Sequence, residues 1–133
     1  MISLKAHNII DYVIAAALVL VPYLFGFSNI NAARNVLGVL GVSLAVYSLM
    51  TDYQYSIAKI VPLGVHMVLD VVLGVIVMLA PSVFGYSSDL TGGQFGLHFV
   101  LGLGAIGLVA FTYPKSGRIT QTKSDKPELR RVA

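Results

Sequence analysis

"VPYLFGFS", residues 21–28, decides the fold because the chain writes it again as "APSVFGYS" at 80–87. Pro22, Phe25, Gly26 and Ser28 return as Pro81, Phe84, Gly85 and Ser87, and upstream "HNIID" (7–11) returns as "HMVLD" (66–70). The interval is 59 residues throughout. It then lengthens to 61, which pairs Gly41 with Gly102 and Thr51 with Thr112. A tandem duplication of a helix hairpin, its second turn lengthened in the later copy, accounts for both intervals.

The repeated ending has a direct physical reading. A proline near a helix end removes one backbone donor and crowds the carbonyl four residues earlier. Gly26 and Gly85 can adopt the left-handed conformation that closes a helix. Tyr23, Phe25, Phe27, Phe84 and Tyr86 then fall where aromatic rings favour the headgroup layer. The motif therefore reads as a membrane-edge stop, with a gate or ligand contact as the alternative.

Composition demands the membrane. Of 133 residues, 56% are hydrophobic and 11% charged, against about 45–50% and about 25% in soluble domains; mean hydropathy is +0.82. A crossing helix needs about 20 mostly apolar residues, and four candidates follow: about 7–27, 34–51, 63–85 and 92–113. Lys5 before an apolar run imitates a secretory signal, but Asp11 interrupts that run and the pattern recurs mid-chain, so the first span is expected to be retained. "SNINAARN" (28–35) and "SSDLTGGQ" (87–94) are short polar turns, and 52–62 is expected to form a helical turn in the headgroup layer. One membrane domain, 1–114, is expected, with repeats at about 5–55 and 60–114, followed by a basic tail, 115–133. Six of the nine Lys and Arg residues lie in that tail. With Lys5 and Lys59 on the same side and Arg34 opposite, the bias of basic residues toward the cytoplasm places both termini there. Cysteine is absent, which excludes disulfides and thiol chemistry.

The proline–aromatic–glycine ending resembles the SPW repeat family of small prokaryotic membrane proteins over roughly residues 5–113. The name-giving Ser-Pro-Trp stands here as Val21-Pro22-Tyr23 and Ala80-Pro81-Ser82, and the chain has no tryptophan. The resemblance implies a multi-pass protein of the prokaryotic inner membrane. It implies a fold, an all-α bundle of two parallel repeats about an axis along the membrane normal, and not a reaction.

Residues three and four apart share a helix face. The first span thus carries a stripe of His7, Asp11, Ala15, Leu18 and Pro22, matched in the third by His66, Asp70, Gly74, Val77 and Pro81. The second offers Gly38, Gly41, Ala45, Ser48 and Asp52, and the fourth Gly93, Gly96, Gly104 and Gly107, small residues that let helices approach closely in lipid. His7, Asp11, His66, Asp70 and Asp52 are expected to meet at the cytoplasmic end. Ionisable groups at membrane depth usually face the interior and mark function. Three readings stay open: each His bonding the Asp one turn along for structure, a proton or cation site, or ligation of a metal or haem. His98 is expected to be packed and hydrogen-bonded. No enzyme signature is present and no cofactor is assigned. The expected role is structural or accessory; a proton or cation transporter and a haem- or quinone-linked redox module are the alternatives. The expected partner is the bilayer, with a homo-oligomer or larger membrane complex, and not nucleic acid.

Overall fold

In the computed structural model, which describes residues 1–112, each expected span forms one helix: α1 (Leu4–Leu24), α2 (Asn31–Met50), α3 (Leu63–Val83) and α4 (Gly92–Phe111). At 20 or 21 residues apiece, each is about 30 Å long, the thickness of a bilayer core. The tail at 115–133 lies outside the described residues. α1 starts before the expected boundary because Ser3 caps it, its Oγ accepting from the Ala6 N–H at 3.2 Å. α4 opens on a capping box in which the Thr91 and Gln94 side chains each bond the other's backbone N–H.

The repeated ending closes its helices as the glycines required, with one difference. Pro22 and Pro81 sit inside the last turns of α1 and α3; the stop comes at Gly26 and Gly85, both at φ 72°. Phe27 and Tyr86 then donate back to the Pro22 and Pro81 carbonyls, each at 2.9 Å, the long backward bond of a left-handed helix end. That reversal carries Phe27 and Tyr86 into the core, not into the headgroup layer; Tyr23, Phe25 and Phe84 stay exposed. A side chain at either glycine meets open space, so the cost is conformational alone. Gly26→Ala and Gly85→Ala are each expected to lower stability by about 1 kcal/mol, measured by thermal unfolding in detergent.

The tightest helix pairs are α1 with α2 and α3 with α4, and both cross at repeat-equivalent points. A Cβ on Gly41 would stand 2.6 Å from the Ala15 carbonyl oxygen, and one on Gly102 would strike the Gly74 carbonyl oxygen and Met78. The remaining glycines of the expected stripes, Gly38, Gly93, Gly96, Gly104 and Gly107, face open space. The expected α4 stripe does not face α3; Gly102 does. Gly104 lies two residues from Gly102, about 200° round the helix.

The central linker makes one short turn, the Ser56 N–H donating to the Tyr53 carbonyl at 3.4 Å, and otherwise runs without helix. Ile57 and Ala58 donate to the Leu49 carbonyl, and Ile60 and Val61 to that of Met50, at 2.8–3.1 Å. The α2 carbonyls left open at the helix end are thereby satisfied, and the loop folds back with Tyr53 buried and Ile57 and Ile60 exposed. The second repeat does the same at its own end, where the Ile2 N–H reaches the Phe111 carbonyl at 2.8 Å. Between the two bundle ends the core is apolar, built from Ala15, Leu18, Leu37, Leu44, Leu73 and Val77. The outer faces are apolar too: Val13, Leu20, Val39, Val68, Val100 and Leu103 are exposed. Such a surface needs lipid around it.

Candidate functional site: a buried His–Asp cluster

α1 and α3 run in the same direction and bring His7, Asp11, His66 and Asp70 together at their N-terminal ends. All four are buried, His7 and His66 at 0% exposure, Asp11 at 1% and Asp70 at 3%. Their spacing of four along each helix puts His and Asp on one face, and the pseudo-two-fold sets the two faces against each other.

The hydrogen bonds cross between repeats. His7 Nε2 lies 3.1 Å from Asp70 Oδ2, and His66 Nε2 lies 3.1 Å from Asp11 Oδ2. The partner one turn along, expected to be the bonded one, is also close: His7 Nε2 to Asp11 Oδ1 is 3.4 Å and His66 Nε2 to Asp70 Oδ2 is 3.0 Å. Each imidazole thus faces both carboxylates.

The far nitrogens fix the rings. The Thr112 hydroxyl donates to the Leu108 carbonyl at 2.6 Å, which uses its only proton. Its oxygen therefore accepts from His7 Nδ1–H, at 2.6 Å. Thr51 repeats the arrangement, donating to the Tyr47 carbonyl at 2.6 Å and accepting from His66 Nδ1–H at 2.8 Å. Both imidazoles are thereby oriented with Nδ1 protonated and Nε2 turned to the carboxylates. These bonds cross repeats as well, since Thr112 belongs with the second hairpin and Thr51 with the first.

One feature breaks the symmetry. Tyr47 donates its hydroxyl to Asp70 Oδ1 at 2.7 Å; at the 61-residue equivalent the chain has Leu108, and among the described residues no phenol bonds Asp11. Tyr53 closes the cluster from the loop, its ring edge-on to His66 at 4.8 Å between centroids. Burial pushes its phenol well above the ordinary value, and the Asp11 and Asp70 charges add to the rise, so Tyr53 stays protonated. Its hydroxyl, both amide atoms of Asn8 and the Ser48 hydroxyl are buried without a hydrogen-bond partner among the described residues.

Asp52 does not join the cluster. Its side chain is 62% exposed and pairs with Lys59 at 3.1 Å. The chain reverses after α2, so Thr51 takes the inward place and Asp52 the outward one. Thr51 and Thr112 are the residues that sequence reading passed over; their equivalence at 61 residues was the available signal.

Comparison with family models finds the SPW repeat domain over residues 5–112. The chain belongs to the SPW repeat family. Searches of curated proteins and of solved structures return no match, so the site's chemistry rests on its geometry.

The SPW repeat has a second polar pair at the opposite end of the bundle. His98 Nδ1–H donates to the Gln94 carbonyl at 2.8 Å, which leaves Nε2 to accept from the Tyr86 hydroxyl at 3.2 Å. Burial holds the Tyr86 phenol protonated, pushed up to about 12. In the first repeat the equivalent positions are Phe27 and Leu37, both buried. The expected packed, hydrogen-bonded histidine is thus a polar substitute for an apolar contact. Grooves of about 660 and 410 Å³ lie along the outer faces of α1 and α2, lined by residues such as Tyr12, Ala16, Leu20 and Tyr55, and neither reaches the His–Asp cluster.

Proposed function

We propose that this SPW repeat protein is a non-enzymatic accessory protein of the prokaryotic inner membrane, in which the His–Asp cluster locks two hairpins into one bundle. The crosswise bonding carries the reading: each histidine is oriented by a threonine and a carboxylate of the other repeat. Four buried groups aimed at one another leave no reactive atom facing a substrate. The apolar core beyond the cluster weighs against a proton or cation path through one bundle, because a conducted ion needs polar groups or water along its route. A haem between His7 and His66 is disfavoured because Asp11 and Asp70 fill the space between the two imidazoles. The exposed apolar faces serve lipid, and a homo-oligomer or a larger membrane complex is the setting in which a scaffold of this size acts.

The test is proton flux in proteoliposomes. An imposed pH gradient is expected to decay no faster than in empty vesicles. Flux above that background, abolished by Asp70→Asn in folded protein, would overturn the accessory reading in favour of transport.

The excess of Lys5, Lys59 and the basic tail over Arg34 supports the reading that both termini, and the cluster, lie on the cytoplasmic side. Ser88 and Gln54 are exposed at opposite ends of the bundle. Ser88→Cys is expected to react with an impermeant maleimide applied to spheroplasts, and Gln54→Cys only after the membrane is opened. The reverse pattern would move the cluster to the outer face.

A further inference from the structure

We propose that His7, Asp11, His66 and Asp70 form a four-coordinate site for a divalent first-row transition cation, with zinc the best fit. This goes beyond the accessory role: the lock between repeats is closed by a metal ion.

The spacing argues for it first. One ligand atom from each residue lies within 4.8 Å of all the others. A tetrahedral zinc site with bonds of about 2.0–2.1 Å sets its donors about 3.3 Å apart. The four nitrogen–oxygen separations are 3.0, 3.1, 3.1 and 3.4 Å. Four of the six edges of a donor tetrahedron are thus close to the zinc value, Asp11 turning a different oxygen to each histidine, and small side-chain shifts would draw in the remaining pairs, which lie within 4.8 Å.

The outer contacts argue for it second. Metal-bound histidines nearly always donate their other ring N–H to an oxygen, which fixes the tautomer and aims the lone pair. Thr112 and Thr51 do this for His7 and His66, and Tyr47 holds the free oxygen of Asp70. Presented this way, both Nε2 atoms are ligands in the neutral imidazole. A divalent cation would take the place of the protons that Nε2 of each histidine shares with the carboxylates, and its two positive charges balance the two carboxylates in a nearly water-free pocket. Two imidazoles and two carboxylates suit zinc and its neighbours, whereas calcium and magnesium take six or more oxygens. The ligand set is closed, as in structural zinc sites, with no position kept open for a substrate. Because α1 and α3 each give one His and one Asp, a single ion ties the two repeats at their symmetry axis.

The experiment uses untagged, full-length protein in detergent, stripped with a chelator and passed over a desalting column. Reloaded with zinc chloride, it is expected to retain one zinc per chain and to gain several degrees in Tm. Cobalt(II) in place of zinc should give the intense visible absorption of a four-coordinate ion. Thr112→Val, which removes the acceptor behind His7 together with the bond to the Leu108 carbonyl, should weaken zinc binding about tenfold or more, and His66→Gln and Asp70→Asn should abolish the Tm gain. Wild-type protein that retains no zinc, shows the pale spectrum of six-coordinate cobalt, or binds zinc equally well as folded His66→Gln would overturn the proposal. Should the ligand variants fail to fold, the stoichiometry and cobalt spectrum of the wild type decide alone. Proton flux is unaffected by either result, so this test and that of the accessory role fail separately.

Discussion

Gly102→Leu should dismantle the α3–α4 pair, lowering stability by about 3 kcal/mol or more and leaving little folded protein after detergent extraction. The obstruction begins at the first added atom. A Cβ at Gly102 strikes the backbone oxygen of Gly74 as well as the Met78 side chain. Met78 can swing away, but a carbonyl inside a helix cannot move without the helix. Separating the helices then forfeits contacts along their whole length, and in lipid packing is the main attraction between them. Gly41→Leu should behave alike, since its Cβ meets the Ala15 carbonyl oxygen at 2.6 Å. Gly74→Ala should destabilise as well, since its Cβ would stand 2.7 Å from the Gly102 carbonyl oxygen. One substitution serves as a control. Gly104→Ala, with open space around it, should be neutral or stabilising by up to about 1 kcal/mol through helix propensity. Equal losses at positions 102 and 104 in thermal unfolding would show that the crossing points lie elsewhere.

That contrast marks what the sequence could and could not reveal. Span number and the tandem pairing of hairpins follow from hydropathy and from the 59-residue echo, because both are properties of the chain alone. The convergence of His7, Asp11, His66 and Asp70 follows too, since a duplicated stripe must face its own copy across the axis. Which glycine face is buried does not follow. α4 has glycines on several faces, and only the position of α3 selects Gly102. Asp52 was misplaced for a related reason: helical periodicity was carried one step past Thr51, where the chain turns back toward Leu49 and Met50. Phe27 and Tyr86 look like headgroup aromatics until the left-handed glycines before them reverse the chain into the core. A haem or other cofactor was not assigned from the residues; the donor spacing that points to zinc is a tertiary property.

Removing one carboxylate should cost more at Asp70 than at Asp11, although the repeat alone predicts equal losses. Each carboxylate faces both imidazoles, and breaking a buried ion pair by deleting one partner costs about 3–5 kcal/mol. Asp70 also accepts from the Tyr47 hydroxyl, so Asp70→Ala strands a buried donor as well, worth a further ~1–2 kcal/mol. Adding Tyr47→Phe to Asp70→Ala should recover that increment, and adding it to Asp11→Ala should not, as thermal unfolding in the presence of chelator would show. Replacing the whole cluster is a different matter. With His7, Asp11, His66 and Asp70 all changed to Leu and Tyr47 to Phe, no buried charge is left without a partner. Thr51 and Thr112 need no companion change, because their hydroxyls still donate to the Tyr47 and Leu108 carbonyls. Apolar replacement of a buried ionic group is often neutral or stabilising by about 1–4 kcal/mol. The five-fold variant is therefore expected to match or exceed the chelated wild type in stability, yet to gain nothing from zinc. A bundle that folds as well as the chelated protein without these side chains shows that the lock between the repeats draws its strength from the ion they hold, and that ion is then the reason for writing "HxxxD" twice. A five-fold variant that cannot fold would instead make the cluster itself the device that sets the register of one repeat against the other.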